Sequence, residues 1–246
     1  MEELVNSLRV HDTCRPDDFK DGRILLINKP YKWSSFDVVN KVRIMLRNHL
    51  GFKKIKVGHA GTLDPLATGL LILCTGSATK QIEALMGMPK EYVAGITFGA
   101  TTPSYDLETD VNALFDASAI HVNNLQHALT GFMGKQMQRP PVFSAIKMNG
   151  RRAYEHARKG KDVEMAAREV EFMELELLSF DNPVANVRIV CSKGTYIRSF
   201  AHDLGLALGN GAHLSALERT AIGPVRLSQA YDVSDFEEIL KKIQTN

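Results

Sequence analysis

Cysteine is scarce in this chain, and long apolar runs are missing. The 246 residues include three cysteines, Cys14, Cys74 and Cys191. They lie far apart without C-x-x-C spacing, which argues against a disulfide framework and against a zinc site. A reducing compartment is the expectation. No run approaches the ~18 apolar residues of a membrane span. The opening MEELVNSLRVHDTCRPDDFK has no apolar core of signal-peptide length. The protein is therefore expected to be soluble and cytoplasmic. Excess charge is lacking too: 30 Lys and Arg against 28 Asp and Glu leave +2. Any surface for a polyanion must then come from local clustering, not from a global field. Repeats, low-complexity tracts and obvious interdomain linkers are absent.

Two familiar signatures are also missing from the stretch where they would be sought. GHAGTLDPLATG, residues 58–69, sets Gly58, Gly61, Gly69 and Pro65 around one carboxylate, Asp64. It has no G-K-[ST] ending, and Asp64 would repel a phosphate, so a phosphate loop fails. It has no G-x-G-x-x-G, so a dinucleotide fingerprint fails. His59 and Asp64 alone offer too few ligands for a metal. On spacing alone the stretch reads as a turn in which Asp64 bonds its own backbone.

What is present is an ordinary globular balance, 44% hydrophobic and 24% charged. RILLINKP reads as a strand stopped by Pro30. SSFDVVNKVRIMLRNHL reads as a helix with Ser34 and Asp37 at capping-box spacing and an apolar stripe of Val38, Val42, Met45 and Leu46. LLILCTG reads as a buried strand, SATKQIEALMG as a helix closed by Gly87, and EYVAGITFG as a strand with Tyr92, Ala94, Ile96 and Phe98 on one face. Residues 99–123 read as a loop with helical fragments, and NNLQHALTGF opens a helix. RPPVFSAIKMNG reads as irregular and RRAYEHARKG as a basic helical piece. In MELELL, Met173, Leu175 and Leu177 alternate with Glu174 and Glu176, a half-exposed strand. NVRIVCSKGTYIRS reads as a strand running into a helix that carries Phe200, Leu204 and Leu208. Ser234 and Glu237 read as a capping box before Phe236, Ile239, Leu240 and Ile243. Strands and helices mix without regular βαβ alternation, which favours α+β with a mostly antiparallel sheet.

The longer pattern is more specific. G-H-x-G-T-L-D-P-x-A-x-G followed by GSATK resembles the catalytic motif of the TruB family of pseudouridine synthases. NKPYKWSSFDVVNKVR is similar to that family's N-terminal motif, and KEYVAGITFGATTPSYDLET to the strand and acidic loop after the catalytic turn. RPPVFSAIKMNGRRAYEHARKG, CSKGTYIRSFAHDLG and GAHLSALERTAIGP resemble its later motifs in the same order, over about residues 23–225. Ala60 stands where Thr is common, and Lys32 where Gly is common. The resemblance implies the pseudouridine synthase catalytic fold, with helices flanking a mixed central sheet. The expected organisation is an N-terminal appendage (1–21), a catalytic domain (22–230) and a short helical tail (231–246) in place of a full C-terminal PUA domain.

The implied reaction exchanges an N-glycosidic bond for a C-glycosidic bond between the same sugar and base. No group or electron enters, so no cofactor and no metal are expected. It needs a carboxylate at the sugar, either as nucleophile at C1′ or as the base that opens a glycal route. The resemblance assigns that carboxylate to Asp64, its cationic partner to Arg198, and stacking on the base with aid in removing the C5 proton to Tyr92. It places Tyr196, Leu217, Lys29 and Pro30 around the target nucleotide. His59 is implied to wedge into the space left when the uridine is extruded. Taken without the resemblance, Arg198 is a surface arginine, His59 an exposed loop histidine, and Tyr92, Tyr196 and Leu217 are packing residues.

Two basic runs would meet RNA phosphates: Lys41, Arg43, Arg47, Lys53 and Lys54 in one, Arg151 and Arg152 in the other. Alone, each run reads equally as a solvated helix face. The implied substrate is tRNA through its T-arm, at uridine 55, with no guide RNA, no membrane partner and a monomeric enzyme. Affinity for RNA should fall steeply with salt. The alternatives are a tRNA-folding factor that needs no turnover, the same chemistry on another RNA with a T-loop-like hairpin, and, more remotely, a metal-free hydrolase.

Overall fold

Unbroken apolar runs in a mixed chain imply strands covered on both faces, and that is how the sheet is built. The structure is a computed structural model that describes residues 2–11, 13–143, 147–148, 151–152 and 165–245. Its strands are β1 (Ile24–Lys29), β2 (Val57–His59), β3 (Thr68–Thr75), β4 (Lys90–Phe98), β5 (Ala100–Thr101), β6 (Ala113–Leu114), β7 (Gly134–Gln138), β8 (Lys147–Met148), β9 (Arg151–Arg152), β10 (Arg168–Asp181), β11 (Val184–Cys191), β12 (Ala212–Ile222) and β13 (Val225–Arg226). Its helices are α1 (Glu2–Leu8), α2 (Asp18–Asp21), α3 (Ser35–Leu50), α4 (Ile82–Gly87), α5 (Val122–Gly131), α6 (Ile197–Ala207) and α7 (Val233–Thr245). The chain divides into two compact units, Met1–Tyr92 with Glu218–Asn246, and Val93–Leu217.

In the first unit β1 and β2 both pair antiparallel with β3, β12 runs parallel to β3, and β13 folds back on β12. Alternate residues of β1 and β3 enter two different apolar clusters. Leu25, Ile27, Leu71 and Leu73 join Val38, Val42, Met45 and Leu46 of α3 and Phe236, Leu240 and Ile243 of α7. Ile24, Leu26, Leu70, Ile72 and Cys74 join Val5, Ala78, Leu85, Ile222 and Val225. With both faces covered, neither strand needs a polar alternation. Residues 1–21 place Val10, Cys14 and Phe19 in the α3 cluster, and the tail lays its apolar stripe there too.

In the second unit β11 lies between β4 and β10, and β7 pairs antiparallel with the outer side of β10. Ala185, Val187, Ile189 and Cys191 of β11 are buried in strict alternation. Phe200 of α6 packs edge-on to Phe132 at 5.3 Å and tilted to Phe172 at 5.0 Å. The parallel β12–β3 ladder among antiparallel ones gives the mixed, mostly antiparallel sheet with helices that was expected. No helix among the described residues is long and apolar enough to cross a membrane.

Local readings fare unevenly. Ser34 caps α3 as expected: its hydroxyl accepts the Asp37 N–H at 3.1 Å, and the Asp37 carboxylate accepts the Ser34 N–H at 2.8 Å. Half of SATKQIEALMG is a 3₁₀ turn, Gly76–Gln81, with α4 only from Ile82. Residues 99–123 hold the two-residue strands β5 and β6. Arg151 and Arg152 form β9 instead of starting a helix, and residues 153–164 lie outside the described residues. A register shift between Phe172 and Glu174 turns Met173 out of the face of Leu175 and Leu177, leaving it 40% exposed. No capping box forms at Ser234, because α7 already includes Val233. Glu237 is instead drawn to His49 and Lys41 of α3, at 3.2 and 3.8 Å.

Ser34→Ala removes the reciprocal cap of a long helix. It should cost about 1 kcal/mol, read as a lower urea midpoint with an unchanged slope.

Candidate active site

The turn that carries Asp64 is tied down by side chains from three distant places. Ser35, the first residue of α3, clasps Leu63 from both sides: its Oγ accepts the Leu63 N–H at 2.8 Å and donates to the Leu63 carbonyl at 3.1 Å. Lys29, at the end of β1, is completely buried. Its Nζ donates to the carbonyls of Pro30 at 2.9 Å, Trp33 at 2.5 Å and Pro65 at 3.3 Å. Arg219 of β12 is 1% exposed and donates to the carbonyls of Leu70, Gly61 and Thr62. Gly61, Thr62, Leu63 and Pro65 are thus each held, and the half-buried Asp64 sits among them. Its own carbonyl accepts the Ala67 N–H at 3.1 Å, closing the turn.

Charge in this turn is set by burial. Burial lowers the Lys29 pKa from 10.5 to about 8, while the charge of Asp64 works the other way and that of Arg219 reinforces the fall. His59 closes β2, half-buried, with its Nδ1 inside the protein. Burial first, and the Arg219 charge second, hold its pKa below 6.5, so its ring is neutral at pH 7. Pro30 is half-buried, and Tyr92 of β4 is 8% exposed.

The second unit supplies a buried ion pair. Arg198, in the first turn of α6, is 3% exposed and Asp106 is 5% exposed. Arg198 Nε lies 3.6 Å from Asp106 Oδ2, and Nη1 donates to the carbonyls of Ser104 at 3.3 Å and Phe143 at 3.0 Å. The loop that delivers Asp106 is braced by Tyr105, whose φ is +63° and whose ring stacks on His202 with centroids 4.0 Å apart. His202 follows Arg198 by one helical turn. Tyr196 stands just before α6. Gln138 exchanges two hydrogen bonds with its backbone, at 2.8 and 3.1 Å, and Arg168 lies over its ring at 4.7 Å. Leu217 is half-buried on β12.

With this geometry in view, the comparisons are specific. The model of the TruB family pseudouridylate synthase N-terminal domain matches residues 47–197. The chain belongs to the TruB family. The model of the tRNA pseudouridylate synthase B C-terminal domain matches residues 198–246. A tRNA pseudouridine synthase B of Phocaeicola vulgatus is 52% identical over 223 residues, covering 91% of this chain and 95% of that protein. The protein of the same name from Flavobacterium johnsoniae is 49% identical over 227 residues, with 92% and 99% covered. A solved Cbf5-Nop10-Gar1 complex contains a chain that matches with a TM-score of 0.68 at 26% identity, over 93% of this chain and 63% of that one. An archaeal box H/ACA sRNP Nop10-Cbf5 complex matches at 0.65 and 24% over 94% and 62%, a likeness of fold. The chain thus spans about three fifths of those two solved chains. The expected pseudouridine synthase fold is the one observed.

The TruB-like positions fall into two sets within the units. Lys29, Pro30, His59, Asp64 and Tyr92 lie in the first, and Tyr196, Arg198 and Leu217 in the second. Of the basic residues, Arg47, Lys53 and Lys54 are exposed. Lys41 pairs with Glu237, and Arg43 donates to the Val57 carbonyl at 3.4 Å. The side chains of Arg151 and Arg152 lie outside the described residues. Lys32 adopts φ +66°, a conformation natural to Gly, which gives the physical reason for the glycine common at that family position. Sequence reasoning passed over Ser35, Arg219, Asp106, Tyr105 and His202. A charge at Arg219, on the same strand face as the buried Ala221, was the available signal for one of them.

The Lys29 pKa makes a signed forecast. Between about pH 8 and 10.5 the unfolded chain holds the Lys29 proton and the folded chain releases it, so stability rises with pH in that window. Urea unfolding of wild type and Lys29→Met at pH 7.5, 8.5 and 9.5 should show the wild type gaining on the variant, by about 2 kcal/mol across that range. A constant difference would contradict the shift.

Proposed function

We propose that this chain isomerises uridine 55 in the T-loop of tRNA to pseudouridine, with Asp64 as the carboxylate at the sugar. The observation that carries the reading is the immobilised turn. The backbone around Asp64 is held by Ser35, Lys29 and Arg219, which suits a carboxylate that must meet a reacting atom at a fixed angle. Membership of the TruB family, and relatives near 50% identity named tRNA pseudouridine synthase B, support the reaction and the RNA class.

In this mechanism the uridine is flipped out of the folded loop. Asp64 either attacks C1′ or removes a sugar proton. By either route the N1–C1′ bond breaks, the base turns, C5–C1′ forms, and the C5 proton leaves as N1 gains one. Arg198 keeps the reacting carboxylate ionised, and the buried charge of Asp106 fixes the guanidinium. Tyr92 stacks on the base and aids loss of the C5 proton. Tyr196, Leu217 and Pro30 contact the target nucleotide, Lys29 serves it indirectly by holding the turn from within, and neutral His59 fills the vacated space without drawing in water as an imidazolium would. Arg47, Lys53 and Lys54 are the exposed cations that meet T-arm phosphates.

The test is tritium release from unmodified tRNA labelled at uridine C5. Wild type should release one equivalent, mapped to the T-loop, and Asp64→Asn should lower the rate by at least about 10³-fold while still binding tRNA. Tight binding without release by wild type would favour a folding factor. Release from unrelated hairpins as readily as from the T-arm would move the target to another RNA, and free uracil would point to a hydrolase.

A further inference from the structure

β12 carries one side chain that its surroundings do not ask for. Arg219 shares a buried strand face with Ala221 and is itself 1% exposed, where a guanidinium is tolerated only if oxygen dipoles replace water around it. Those dipoles come from one place. Nε donates to the Leu70 carbonyl at 2.7 Å, one terminal nitrogen to the Gly61 carbonyl at 3.2 Å, and the other to the Thr62 carbonyl at 3.5 Å. The acceptors bracket Asp64 in sequence, two before it and one after.

The main chain of the same residue makes a second contact. Arg219 is the register partner of Gly69, the last residue of the glycine-rich stretch. Gly69 has φ +100°, and a Cβ there would lie 2.4 Å from the Arg219 carbonyl oxygen and 2.7 Å from its nitrogen. Glycine is therefore required at position 69 twice over, for its own backbone conformation and for the close approach of the Arg219 main chain.

We propose that Arg219 is a positioning residue of the reaction: its planar fork closes the Asp64 turn from both ends and fixes the angle at which the carboxylate meets the sugar. This rests on the pseudouridine synthase reading above. A lysine can supply the charge but not three diverging donors on a rigid plane, so the two residues are not equivalent here.

The experiment compares wild type, Arg219→Lys and Arg219→Ala in single-turnover tritium release at saturating enzyme, with tRNA affinity measured separately. Arg219→Lys should lower the single-turnover rate constant by roughly 10- to 100-fold with the tRNA Kd within about threefold, and with full reaction amplitude. Arg219→Ala should be slower still, and guanidinium ion at millimolar concentration should restore part of its rate where sodium chloride of equal ionic strength does not. Amide hydrogen exchange supplies a readout independent of activity: residues 60–67 should exchange faster in Arg219→Lys, while β4 is unchanged. Loss of amplitude at an unchanged rate constant would mean that Arg219 only keeps the fold. Equal losses in binding and turnover, or unchanged exchange in the turn, would also overturn the proposal. Wild type that releases no tritium would refute the pseudouridine synthase reading, and the exchange result would then decide the positioning claim alone.

Discussion

A cation can be taken out of water only where fixed oxygens stand in for the water lost, and the first unit does this twice around a single turn. Lys29 and Arg219 are both essentially without solvent, and each faces three backbone carbonyls. The arrangement reverses the usual dependence. The carbonyls of a tight, irregular turn are hard to satisfy because they belong to no ladder, and the buried cations satisfy them while the turn in exchange solvates the cations. Remove either cation and several polar groups are stranded together, a far greater loss than one hydrogen bond.

The second unit meets the same constraint by another route. Arg198 is buried against a carboxylate, Asp106, and two carbonyls. The loop carrying Asp106 has no regular structure of its own, so its shape comes from the Tyr105–His202 stack and from hydroxyl bonds: Thr102 and Ser104 both donate to the Asp106 carbonyl, at 2.6 and 3.2 Å. The backbone strain at Tyr105 is offset by a ring contact that orients the next residue.

What could be read from the sequence was what is local or what the family resemblance supplied. The Ser34 cap, the buried runs of β1 and β3, the alternation of β4, and the glycine-rich turn all declare themselves within a dozen residues. Several of the misses share one cause, competition from partners elsewhere in the chain. Glu237 has the spacing of a capping residue, but α3 offers it two cations. Met173 has the right parity, but a bulge resets it. Ser35 reads as the second residue of a helix start, yet its hydroxyl serves a backbone 28 residues on. Arg219 reads as one charge in a strand, and nothing near it in sequence names the carbonyls that receive it.

That separation has a consequence for how the protein comes into being. Arg219 reaches back 149 residues to Leu70 and 158 to Gly61. On a ribosome, the glycine-rich stretch emerges long before the residue that gives it shape. Contacts of such span form late, because the intervening chain must be ordered first. A nascent or truncated chain that stops short of residue 219 therefore carries Asp64 in a turn that lacks one of its three tethers.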